Sequence, residues 1–76
     1  MNLIFERTDW SVDHEIIIKF KNGKFDWIDP LVTVYEDDEK LIVENESGYT
    51  YGYVLDDIEK YRIRVYSSED IYDVEG

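Results

Sequence analysis

Carboxylates are the only reactive groups this chain offers in quantity. Glu36-Asp37-Asp38-Glu39 and Asp56-Asp57-Ile58-Glu59 form two dense acidic clusters, with Glu44 and Glu46 between them. Oxygen donors at that density suit a hard cation, yet a calcium loop needs them at fixed offsets around a glycine. The spacing D-x-[DN]-x-[DN]-G-x₅-E is absent. Paired carboxylates also run acid–base chemistry where a pocket raises one pKa above the other. These acids sit on turn-like stretches whose side chains diverge, with no evident pocket. His14 is the only histidine. Ser11 or Ser47 would have to complete a Ser-His-Asp set, but nothing fixes either hydroxyl near the ring and no nucleophile elbow is present. His14 therefore reads as a residue at the start of a strand. Asn22-Gly23-Lys24 lacks phosphate-loop spacing, and without cysteine neither a thiolate zinc site nor a disulfide scaffold is available. The sequence points away from an enzyme and implies no metal and no cofactor.

Tyrosines are the second resource. Tyr49, Tyr51 and Tyr53 fall on one face of a strand by the period of two. Such a stripe is either core, with hydroxyls reaching the rim, or an exposed binding face, because tyrosine anchors interfaces at low entropic cost. Its interleaving with Glu44, Glu46, Asp56 and Asp57 suits a basic partner.

The elements that position these groups are short and β-type. Leu3-Ile4-Phe5 opens the pattern, and Thr8 to Asp13 reads as a connector pinned by Trp10 and Val12. His14 to Lys21 alternates apolar and polar residues as a half-buried strand does. Asn22-Gly23 predicts a type I′ hairpin turn into Lys24–Ile28, which Asp29-Pro30 ends. Leu31–Glu36 and Lys40–Asn45 are joined by an acidic turn at Asp37-Asp38-Glu39. Glu46-Ser47-Gly48 leads into Tyr49–Leu55, where Gly52 predicts a bulge, a bend or a close backbone approach. Asp56 to Lys60 holds a single 3₁₀ turn, and Tyr61 to Tyr66 is the last clear strand. Ser67-Ser68-Glu69-Asp70 either caps a helical turn or begins an acidic tail over 67–76. Ile18, Phe20, Val43, Ile63 and Val65 are expected in the core.

This pattern predicts one all-β, mainly antiparallel domain over residues 1–76, a five- to six-stranded meander or a small barrel. Over residues 14–66 the order of hairpins, 3₁₀ turn and last strand is similar to SH3-like barrels. With 76 residues, an apolar fraction of 43% and 16% aromatics, the chain is too hydrophobic to stay disordered despite its charge. Its expected radius of gyration is about 11 Å. MNLIFERTDW lacks the basic and long apolar regions of a secretory signal, and Ile16-Ile17-Ile18 is far short of a membrane span. A cysteine-free acidic chain of this kind is expected in a reducing cytoplasm.

The net charge of −11 is unevenly placed. Residues 1–28 carry five acids (Glu6, Asp9, Asp13, Glu15, Asp26) and four bases (Arg7, Lys19, Lys21, Lys24), a net of −1. Residues 29–76 carry fourteen acids and four bases (Lys40, Lys60, Arg62, Arg64), a net of −10. That balance argues against direct nucleic-acid or anionic-membrane binding, since both need a basic footprint. It favours a surface that imitates nucleic acid. Duplex DNA presents one charge per ~1.7 Å, and an acidic face approaching that density attracts the Lys/Arg cleft of a nucleic-acid-binding protein.

EDDE at 36–39, DDIE at 56–59 and SEDIYDVE at 68–75, in a chain of this length, resemble the small acidic proteins of phages and mobile elements. These include restriction inhibitors, anti-CRISPR proteins and the uracil-DNA glycosylase inhibitor. The resemblance implies a cytoplasmic inhibitor that occupies a host nucleic-acid-binding site. Glu36, Asp37, Asp38, Glu39, Glu44, Glu46, Asp56, Asp57, Glu59 and the three stripe tyrosines are the candidate contact residues. The rival reading is a non-inhibitory interaction module that docks a partner through exposed tyrosines.

Overall fold

Alternation along each strand builds the fold. In Asp13–Phe20 (β2), Ile16 and Ile18 point inward and are fully buried, while Ile17 and Lys19 point the other way. The same period buries Val34 in Leu31–Asp37 (β4), and Leu41 and Val43 in Lys40–Asn45 (β5). The structure, a computed structural model, describes residues 1–66. Residues 67–76, where the sequence allows a helical turn or an acidic tail, lie outside the described residues.

Four further strands complete the described chain: Asn2–Glu6 (β1), Phe25–Ile28 (β3), Thr50–Val54 (β6) and Ile58–Tyr66 (β7). All pairings are antiparallel. The strands lie in two open sheets, ordered β1-β4-β5-β6 and β3-β2-β7. The all-β antiparallel architecture is therefore as the sequence predicts, with β4-β5-β6 as its meander; seven strands stand among the described residues where five or six were expected, and the two sheets stay open and do not close into a barrel.

Ile16, Ile18, Ile28, Leu31, Val34, Leu41, Val43 and Ile58 form the core between the sheets, with Phe5, Phe20, Tyr53, Leu55, Tyr61 and Ile63 packed around them. Each fully buried aliphatic side chain contributes about 2 kcal/mol of transfer free energy. Four of the five predicted core residues join this cluster, Ile18 and Val43 fully and Phe20 and Ile63 in part. Val65 does not: it pairs with His14 near the far end of β7 and is exposed. Its face is right, but its end of the strand is left uncovered. The two-layer slab measures 43 × 29 × 18 Å with a radius of gyration of 13.4 Å, larger than the value for a sphere-like domain because it is flat.

The turns differ from expectation in kind more than in place. At Phe20–Lys24 the Gly23 amide donates to the Phe20 carbonyl at 2.9 Å and the Phe20 amide to the Lys24 carbonyl at 2.8 Å. Gly23 alone takes positive φ, at 90°, so this is a three-residue loop closing on a left-handed glycine rather than a type I′ turn. Asn45–Tyr49 repeats the design, with Gly48 at φ 91°. The positive-φ pair sits instead at Asp38 (51°) and Glu39 (64°), between the paired residues Asp37 and Lys40. Gly52 keeps regular register opposite Ile42, whose Cδ1 lies 3.6 Å from where a Cβ would stand, so no bulge forms there. The 3₁₀ turn is Leu55–Asp57, and β7 begins directly after it because Ile58 is drawn into the core.

Candidate functional site

Register joins the two acidic clusters. Lys40 pairs with Val54 across β5 and β6, so the residues just beyond, Glu39 and Leu55, meet at the same end of the sheet. The Leu55 amide donates to the Glu39 carbonyl at 3.0 Å and fastens the 3₁₀ turn to the β4–β5 hairpin tip. Glu36, Asp37, Asp38 and Glu39 thereby share one end of the slab with Asp56 and Asp57. Asp37, Asp38, Glu39, Asp56 and Asp57 are exposed. The Asp57 carbonyl accepts from the Lys21 amide at 2.9 Å, which seats the second sheet against the same end.

The carboxylates at this end do not all face solvent freely. Glu36 points inward at the rim and accepts the Tyr61 hydroxyl at 3.2 Å. Desolvation, followed by the Glu36 charge, raises the Tyr61 pKa above its ordinary value. Asp37 lies 3.9 Å from the N-terminal ammonium, and Glu59 is 3.3 Å from Lys19 Nζ. Asp38, Glu39, Asp56 and Asp57 have no ion-pair partner among the described residues. These four are the unneutralised centre of the cluster.

The other two acids fall elsewhere. Glu44 lies four residues along β5 from Lys40, about 13 Å from the acidic end, half-buried in a row with Thr33 and Thr50. Glu46 is occupied by Arg7, which the sequence offered only as one base among eight. The Arg7 guanidinium is 2% exposed and donates to Glu46 at 2.7 Å, Asp13 at 2.6 Å and the Trp10 carbonyl at 3.2 Å, beneath the Trp10 ring at 4.5 Å. This clamp ties β1, the following connector and the β5–β6 loop together. Glu46 is held in this clamp with about half of its side chain exposed.

The tyrosine stripe spans two environments. Tyr51 and Tyr53 pair with the buried Val43 and Leu41, so they share the inner face of their sheet. Tyr53 packs on the Phe20 ring at a centroid distance of 5.7 Å and donates its hydroxyl to Asp26 at 3.0 Å. Burial first, and then the Asp26 carboxylate, raise its pKa strongly. Tyr49 is 65% exposed and Tyr51 36%, with their rings 6.4 Å apart. The stripe runs from the core out into solvent beside a polar cleft of about 310 Å³ that Asp26, Asp29 and Asn45 also line.

His14 packs against Phe5 at a centroid distance of 4.7 Å with the rings tilted by 51°, and the Ser11 hydroxyl donates to Asp9 at 2.6 Å, which holds the Asp9 carboxyl below its ordinary pKa. Among the described residues no group of three or more His, Cys, Asp or Glu side chains is placed to hold a metal ion, and no helix is long and apolar enough to cross a membrane. No family model, curated protein or solved structure matches this chain. Charge and geometry therefore carry the functional reading.

Proposed function

We propose that this chain is a binding protein whose acidic end occupies the basic groove of a nucleic-acid-binding protein in competition with nucleic acid. The observation that carries the reading is the hydrogen bond from Leu55 to Glu39. It gathers into one cluster two acidic segments that lie almost twenty residues apart. Carboxylates held on two fastened turns keep their spacing, and a fixed negative array steers a basic partner and sets its orientation. Asp38 and Glu39 add support, because both adopt left-handed backbone where Asn-Gly is far more favourable. Strained positions of this type concentrate at functional surfaces. The resemblance to restriction, CRISPR and DNA-repair inhibitors names the class of target.

A pull-down at low salt identifies the partner, and duplex DNA added as competitor tests the mechanism. The partner is expected to be released by DNA and by rising salt. Changing Asp37, Asp38, Asp56 and Asp57 to Asn should leave the fold intact, as surface changes usually stay within about 0.5 kcal/mol. The same change should slow association and flatten its salt dependence. Wild-type affinity in that variant at low salt overturns the proposal.

Exposure of Tyr49 and Tyr51 beside the polar cleft favours one second reading, an interaction module that docks through those rings. Apolar docking at that edge would survive high salt and fail on truncation of Tyr49, which separates it from the electrostatic reading.

A further inference from the structure

The outer face of the β3-β2-β7 sheet carries a pattern that the charge total hides. Cross-strand register aligns Phe25, Lys19 and Lys60 in one row, and Trp27, Ile17 and Arg62 in the next. Edge strand β3 thus supplies a column of aromatics, and the opposite edge β7 a column of cations. Phe25 is 56% exposed and Trp27 66%. Lys60 and Arg62 are exposed and have no ion-pair partner among the described residues. Lys19 stands between the columns, with its Nζ 3.3 Å from Glu59 and 5.9 Å from the Phe25 ring centroid. Ile17, Lys19, Phe25, Lys60, Tyr61 and Arg62 line an open groove of about 360 Å³, and Trp27 stands beyond it, next along β3 at the edge of the polar cleft.

Two dimensions of this face follow from strand geometry. Neighbouring strands lie about 4.8 Å apart, which puts the aromatic and cationic columns about 10 Å from each other. Successive residues on one face are about 7 Å apart, so Phe25 and Trp27 each offer a separate ring. A single nucleic-acid strand is two-sided in the same sense, with phosphates along one side and planar bases along the other. We propose that this face binds single-stranded nucleic acid, with phosphates along Lys60 and Arg62 and bases on Phe25 and Trp27.

An acidic peptide would satisfy the cations but leave two exposed rings in one column without a role. Bases stack on such rings whatever their sequence, and interleaved cations hold the backbone. The net charge of −11 is the physical objection, and the fold answers much of it. Glu15 is bonded to Arg64 and Glu59 is paired with Lys19, so the acids of this sheet's outer face are already neutralised. Acids on the outer face of the opposite sheet lie about 10 Å or more away, on the far side of the core from the groove. Asp56 and Asp57, just before β7 and tied to Lys21, and Asp26 and Asp29, which share the neighbouring cleft with Trp27, are the acids that oppose binding most directly. None of the groups that would hold the strand belongs to the acidic end, so this inference stands or falls apart from the proposed function.

The test uses the full chain with Trp10→Phe, which leaves Trp27 as the only tryptophan emitter. Titration with a short oligothymidylate should quench Trp27 and raise the anisotropy of a labelled strand. Trp27→Ala should weaken binding about tenfold, and Lys60→Glu with Arg62→Glu should abolish it. Because all three residues are exposed, the circular dichroism and melting of these variants should match wild type. Asp56→Asn with Asp57→Asn should tighten binding of the strand. Absence of quenching, or wild-type affinity in the Lys60/Arg62 variant, overturns the proposal. Equal affinity for a polyglutamate peptide would assign the face to acidic peptides. Equal affinity for thymidine monophosphate would reduce it to a site for one nucleotide, and either result also overturns it.

Discussion

Arg7 and Glu46 lie 39 positions apart, and Arg7 Nη1 donates to Glu46 Oε2 at 2.7 Å. The guanidinium is almost wholly buried while its acid partners are about half exposed. Removing the buried cation therefore costs more than removing either acid, because one side chain serves two carboxylates and a carbonyl. Arg7→Ala should destabilise the domain by about 3 kcal/mol, a fall in Tm of about 10 °C or more for a domain of this size. Glu46→Gln keeps an acceptor and should cost only about 1 kcal/mol. Thermal melts by circular dichroism compare the two, and equal stability of Arg7→Ala and wild type would remove the clamp from the account.

The turns make an opposed pair of predictions. Gly23 stands at φ 90°, where a β-branched side chain is strained, so Gly23→Val should destabilise the domain by more than about 1 kcal/mol. Asp38 and Glu39 occupy the type I′ positions without glycine. Asp38→Asn combined with Glu39→Gly should therefore stabilise the hairpin by about 1 kcal/mol. The same double change should weaken partner binding if the acidic end is the contact surface. Denaturant midpoints read the first effect and association kinetics the second. A double variant no more stable than wild type would show that the turn is not strained.

These turns also show where the sequence is legible. Alternation located β2, β4, β5 and the inner face of β7, because a period of two is a local property of the residues. Turn positions were equally local, but turn type depends on the loop that each pair of strands can close. Asn22-Gly23 accordingly closed a three-residue loop while the type I′ geometry went to Asp38-Glu39. The site was legible only in part. Composition exposed both acidic clusters, but their meeting depends on the Lys40–Val54 register, which no local pattern encodes. Arg7 looks like any surface base until Asp13 and Glu46 are folded around it. Val65 failed for a related reason: alternation gives the face of a residue, not the extent of the sheet opposite.

Alkaline pH probes the buried end of the tyrosine stripe. Tyr53 ionises near 10.0 in an unfolded chain, and burial with the Asp26 carboxylate raises that pKa in the fold. Tyr61 shifts in the same direction through burial and Glu36. A raised acid pKa means the unfolded chain loses its proton first, so this contribution is intact below pH about 10 and fades as pH rises through the folded value. Stability measured by denaturant titration should fall above pH 10, less steeply in Tyr53→Phe than in wild type. Identical slopes for Tyr53→Phe and wild type would mean that the buried hydroxyl is not the linked group.

Position can be separated from total charge by a comparison at equal charge. Glu6 and Glu44 lie in one row on the outer face of the four-stranded sheet, through Thr33, whereas Asp38 and Asp56 stand at the acidic end. Each pair changed to its amide removes two negative charges from the chain. A partner that senses only the overall field would respond to both variants alike. A partner whose groove fits the fastened turns will respond to one. Asp38→Asn with Asp56→Asn should slow association about tenfold at low salt, while Glu6→Gln with Glu44→Gln should change it by less than about twofold. Stopped-flow association rates across a salt series measure both. Equal slowing by the two pairs would show that the acidic end has no privileged role, since screening and steering would then depend on net charge alone.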